Sequence, residues 1–173
     1  MKKARILFFY TILLLLTKEV RAQWTYVNSI ESSLNTNFNN YEVWLKNNGY
    51  QQTKKFDAIS DRKAATMSAI YNLTISSKVY QSKTQPTRIH CYSDSKQILK
   101  SIDVFLINPK AAEFENIELV LLKSGFQLLN ESKNESDKTS RTYFQKKKIR
   151  LNLSLPNDRS YLTISATTLS NYE

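Results

Sequence analysis

The chain has 173 residues, 41% of them hydrophobic and 23% charged, with a formal net charge of +10. That length makes one domain or two very small ones, and the apolar share excludes an intrinsically disordered chain. A single Cys and a single His exclude a fold stapled by disulfides and a zinc cluster of several Cys and His ligands.

Met1 to Ala22 reads as a secretory signal, with Lys2, Lys3 and Arg5 as its basic start and Ile6 to Leu16 as a charge-free core. Val20-Arg21-Ala22 is an acceptable cleavage site, and 11 apolar residues fall short of the roughly 20 that cross a bilayer as a helix. The segment holds five basic residues and one acidic one, a net +4, which leaves +6 on Gln23 to Glu173. That mild excess is too small for a dedicated nucleic-acid binder.

Val27, Ile30, Leu34, Phe38, Tyr41 and Leu45 then recur at spacings of three and four, one stripe of an amphipathic helix. Asn35 to Asn40 is poor in helix formers, so the stripe splits into two short helices. Gly49 closes it and Tyr50 follows, an arrangement echoed by Gly125 and Phe126. Both glycines read as helix C-caps in the left-handed conformation, with the aromatic turning back into the core as a strand begins.

Lys54 to Lys63 is mostly polar and reads as a loop. Tyr71 to Ile75 and Arg88 to Tyr92 alternate apolar and polar, as half-buried strands do. Asp94 to Leu106 is expected to be helical on the spacing of Ile98, Ile102 and Phe105. Asn108 and Pro109 then look like the N-cap and first position of a helix ending at Gly125. Asn130 to Ser140 is almost purely polar and suits a hairpin tip. Leu151 to Leu155 and Tyr161 to Ser165 again alternate, and match the two strands of the first half in order.

These echoes predict an α+β fold: a tandem repeat of two helix-helix-antiparallel-sheet units with the helices packed on one face of the sheet. The boundaries are 1–22 for the signal, 23–92 for the first unit and 93–173 for the second, with one continuous domain as the alternative. In layout such a pair is similar to β-lactamase inhibitor proteins and to small periplasmic envelope-assembly modules, an analogy of architecture that does not carry function.

Catalytic groups are sparse. His90 and Cys91 are adjacent, so on a strand they point to opposite faces and cannot form a thiolate–imidazolium pair. A buried thiol and a surface imidazole are the expected result. There is no Gly-x-Ser-x-Gly elbow, and two glycines cannot make a phosphate-cradling loop. Glu113, Glu115 and Glu118 fall on one helix as its solvated side. Four Asn-x-Ser/Thr triplets begin at Asn72, Asn130, Asn134 and Asn152.

The densest basic run, Lys146, Lys147, Lys148 and Arg150, leads into a strand whose Ile149, Leu151, Leu153 and Leu155 point one way. It reads as a solubilising hairpin turn, or as a patch for an anionic glycan or lipid surface. The expectation is a secreted or periplasmic, non-enzymatic binding or envelope-accessory protein without cofactor or metal, whose partner is another protein and not nucleic acid. Its alternatives are a surface glycan- or lipid-binding module and a small secreted hydrolase.

Overall fold

The computed structural model describes residues 27–53, 58–110, 112–134, 136 and 138–169. The expected signal segment lies outside the described residues. Among them, no helix is long and apolar enough to cross a membrane.

The first apolar stripe folds as read. Helix α1 covers 27–33 and α2 runs Phe38–Asn47, and all six stripe residues are buried in one cluster. The break between them is where Asn35 turns left-handed, at φ 63°. Asn37 caps α2 by accepting the Asn39 N–H at 2.9 Å. The freed backbone of the break is paired with a distant turn: Asn35 N–H donates to Leu99 O, and Phe38 N–H to Gln97 O.

Gly49 and Gly125 have φ of 80° and 85°, as their C-cap reading requires. After α4 (Glu113–Lys123) the Phe126 N–H donates to Leu121 O and the Gly125 N–H to Leu122 O, the two bonds of a Schellman ending. Tyr50 and Phe126 are buried behind them.

Eight strands form one antiparallel sheet: β1 (Tyr50–Gln52), β2 (Ile75–Ser82), β3 (Thr87–Asp94), β4 (Leu99–Ile107), β5 (Gln127–Asn134), β6 (Thr139–Lys146), β7 (Ile149–Pro156) and β8 (Tyr161–Thr168). Their order is β1-β2-β3-β4-β8-β7-β6-β5, so two meanders meet at β4 and β8, leaving β1 and β5 as edges. Period-two alternation divides the side chains between two faces. On one face Ile89, Cys91, Ile102, Val104, Leu153 and Ile164 pack against α1, α2 and α4. On the other, α3 (Ala58–Tyr71) buries Ala64 and Met67 against Ile75 and Tyr92.

The tandem helix-helix-sheet reading is overturned. There is one continuous sheet, and its helices lie on both faces. Among the described residues, the stretch up to position 92 contains three helices, β1, β2 and most of β3, whereas 93–166 contains one helix and β4 to β8. The 92/93 boundary falls inside β3.

Four local readings change with it. Tyr71 ends α3, and Asn72 to Thr74 form a turn with Asn72 at φ 50°, so the strand starts only at Ile75. Asp94 to Leu106 is a strand over most of its length, because the apolar alternation of Ile102, Val104 and Leu106, the first two β-branched, outweighs the weaker helical spacing. Asn108 is left-handed at φ 52°, and α4 starts five residues later, where the Glu113 carboxylate accepts the Lys110 N–H at 2.7 Å. The polar segment 54–63, read as a loop, contains the start of α3.

Candidate functional site

The second face of the sheet is only partly covered. One buried ionic cluster pins α3 over β3 and β4. Lys63 Nζ meets Asp103 Oδ1 at 2.6 Å, and the Tyr92 hydroxyl donates to Asp103 Oδ2 at 3.1 Å. The same ammonium lies 4.8 Å from the Tyr92 ring centre. At the outer strand, the Ser77 hydroxyl donates to Asp61. α3 stops short of β8, β7 and β6, and an open cleft of about 730 Å³ occupies the sheet beside it.

The register places the cleft floor in a row across five strands. Arg88 on β3 pairs with Phe105 on β4, Phe105 with Thr163 on β8, Thr163 with Ser154 on β7, and Ser154 with Arg141 on β6. Four strand spacings of roughly 4.8 Å put the two arginines about 19 Å apart. One row outward, Ile107 pairs with Tyr161, and Pro156 with Thr139. Ile59, at the start of α3, forms part of the wall and is 69% exposed. Asp158 stands at the rim. The N–H and hydroxyl of Ser160 both donate to its carboxylate and hold it below the ordinary carboxylate range.

His90 lies at the inner end of this cleft. It was expected at the surface, but it is 2% exposed. Val79 and Asp103 are its register partners on the two neighbouring strands, and the Phe105 ring tilts over it at 4.6 Å between centroids. The polar side of β3 is interior here because α3 lies on that side. Cys91 is buried on the opposite face, as expected. Burial, reinforced by the charge of Asp103, pushes its thiol pKa well up and makes it a poor nucleophile.

The basic run is dispersed by the fold. Lys146 is held to the helical face: its ammonium meets Glu31 at 2.5 Å, donates to Ser124 O at 2.8 Å and lies 5.7 Å from the Phe126 ring centre. Lys147 and Lys148 form the exposed β6–β7 turn, with Lys147 at φ 52°. Arg150 points to the second face, two rows from the cleft, where its register partner is Thr167. The four residues therefore do not form one patch. Gly49 and Gly125 are structural caps.

Of the helix acids, Glu115 is exposed while Glu113 and Glu118 are half-buried, and burial raises the Glu118 pKa. Asn72 and Asn130 are exposed, whereas Asn152 is half-buried and bonded to Ser154. Among the described residues, no group of three or more His, Cys, Asp and Glu is placed to hold a metal ion.

No known protein family, no curated protein and no solved structure matches this chain. The analogy of layout drawn from the sequence therefore receives no support from structural likeness. The sequence places His90 on one strand face with Arg88 and Tyr92 but offers no site there, and Phe105, Arg141, Ser154 and Tyr161 were missed as their partners. These come from four strands, and only the strand order brings them into a row.

Proposed function

We propose that this chain is an exported, non-enzymatic binding or envelope-accessory protein that recognises another protein through the cleft on the second sheet face. The observation that carries the reading is the row Arg88–Phe105–Thr163–Ser154–Arg141, flanked by Ile107 and Tyr161. Arginine and aromatic side chains dominate the energetic centres of protein interfaces. These are held on paired strands, which fix their spacing better than loops do. Export rests on the amino-terminal segment.

Attachment to a glycan or lipid through the basic run is the weaker reading, because Lys146 is committed to Glu31 and Ser124. The test is a quantitative capture from the native extracellular or envelope fraction with three baits. These are the wild type, the cleft variant Ile107→Ser/Tyr161→Ala, and the turn variant Lys147→Ser/Lys148→Ser. A protein retained equally by the wild type and the turn variant, and lost with the cleft variant, is expected. Retention indifferent to the cleft, or lost only with the turn, contradicts the reading.

A further inference from the structure

We infer that the chain self-associates: β5 of one copy pairs antiparallel with β5 of a second copy, about a two-fold axis at Ser132, and joins the two sheets into one. The inference is independent of the cleft, to which β5 contributes no residue.

The outer side of β5 is open to pairing. The strand has eight residues, against three in β1 at the other edge, and every side chain from Gln127 to Lys133 is exposed. A bulge between Leu128 and Asn130 disrupts its start and leaves the run from Asn130 to Asn134 regular. The direction of its backbone groups follows from the neighbouring strands. The Asn157 N–H donates to Lys138 O, one register step beyond Thr139 and Pro156, so every second residue of β6 counted from Lys138 bonds to β7. Thr139, Arg141 and Tyr143 therefore turn their backbone groups to β5, where Asn134, Ser132 and Asn130 are their partners. The N–H and C=O of Glu131 and Lys133 point outward, where no strand among the described residues pairs with them.

Charge selects both the partner and the register. Read backwards, Asn130-Glu131-Ser132-Lys133-Asn134 is the same pentapeptide with acid and base exchanged. With Ser132 opposite its own counterpart, Glu131 of each copy faces Lys133 of the other. The outward backbone groups of the same residues meet there and form about four hydrogen bonds. Moving the axis to Glu131 or to Lys133 keeps the backbone in step but sets like charges directly opposite, which is unfavourable. Glu131 shares its face with its register partner Thr142, towards α4, where burial first and the charge of Glu131 after it raise the Glu118 pKa. A lysine from the second copy would be set against these two acids. A lone lysine guards an edge strand against pairing, but an acid two residues before it turns the guard into half of a complement.

The experiment is analytical ultracentrifugation of the protein purified from its secreted or envelope fraction, at concentrations up to about 1 mM, since so short a seam makes a weak dimer. A reversible monomer–dimer equilibrium is expected. Glu131→Lys and Lys133→Glu should each weaken it about tenfold or more, because both contacts across the seam become repulsive. An equimolar mixture of the two variants should dimerise again, since every lysine then faces a glutamate, and so should the doubly swapped chain. Residues opposed at the non-hydrogen-bonded axis lie about 4.5 Å apart between Cα atoms, within reach of a disulfide. Ser132→Cys should therefore give a covalent dimer under mild oxidation, whereas Asn130→Cys, placed opposite Asn134, should not. Cys91 is buried and does not compete. Unchanged far-ultraviolet dichroism would show that the variants fold. A chain that stays monomeric at the highest concentration overturns the inference. So does a dimer indifferent to both charge swaps, a dimer lost with Tyr161→Ala instead, or oxidation that links Asn130→Cys as readily as Ser132→Cys.

Discussion

Single residues carry the most readable information in this chain, and the two glycines are the clearest case. A Cβ placed on Gly49 would meet nothing within 4 Å, and on Gly125 only the Lys146 Cε at 3.8 Å. The cost of substitution is therefore one of backbone conformation and not of collision. Gly→Ala at either position should lose roughly 1 kcal/mol, Val more, and Asn less than Ala, because Asn tolerates the left-handed region. Urea denaturation of the three variants at each site would measure that order. Phe126→Ala should cost more, about 3–5 kcal/mol, since its ring is buried behind the cap. A second residue-scale case is Asp94. Burial raises its pKa, but the N–H groups of Lys96 and Ile98 and the Lys100 ammonium outweigh burial and hold it below the usual value. A depressed carboxylate pKa adds stability that is fully present above the unfolded pKa of about 3.9 and lost as pH falls through the folded value. Asp94→Asn should thus destabilise at pH 7, and the gap to the wild type should close below about pH 4. A gap that persists undiminished in acid would refute the assignment. His90 shows the limit of residue-scale reading, because its burial depends on a helix 30 residues upstream.

Elements were legible where hydrophobic spacing was strong and long. The stripe of α1 and α2, the alternation of β7 and β8, and the ending of α4 all follow from period and capping alone. α3 escaped because its buried positions are Ser60, Ala64 and Met67, small or flexible side chains that leave almost no apolar stripe. β4 was misread because Ile98, Ile102 and Phe105 happen to fit a helical spacing, while pairing with β3 and β8 decided the matter. α3 also makes an element-scale prediction. Removing one partner of a buried ion pair strands the other, so Lys63→Met should cost about 2–3 kcal/mol, discounted from the fully buried case because Lys63 reaches solvent. Asp103→Asn should cost less, since the ammonium it leaves behind can turn outward. In a double-mutant cycle, Lys63→Met/Asp103→Asn should fall short of the sum of the single losses. Additive losses would mean that the pair does not pin α3.

At the scale of the whole molecule, the decisive information is strand order, and no short sequence echo carries it. Glycine–aromatic pairs and alternating pentapeptides recur in both halves of the chain, yet they sit on different elements: Tyr71 to Ile75 straddles a helix end, whereas Leu151 to Leu155 lies inside β7. The cleft was illegible for the same reason. Arg88 and Arg141 are 53 positions apart in sequence, and they come into one row only through β4, β8 and β7. The proposed export predicts a mature amino terminus at Gln23, which mass spectrometry of the secreted or envelope fraction would read directly. A product that retains its first 22 residues would mean an anchored protein instead. The central claim is that the second sheet face, beside α3, is where a partner protein docks. A photo-crosslinking amino acid placed in cells at Ile107 or Tyr161, and for comparison at Val43 or Leu122 on the helical side, tests it most directly, because all four side chains are exposed. The account predicts a discrete adduct of higher mass from Ile107 and Tyr161 that is absent from Val43 and Leu122, whereas adducts from the helical positions alone would contradict it.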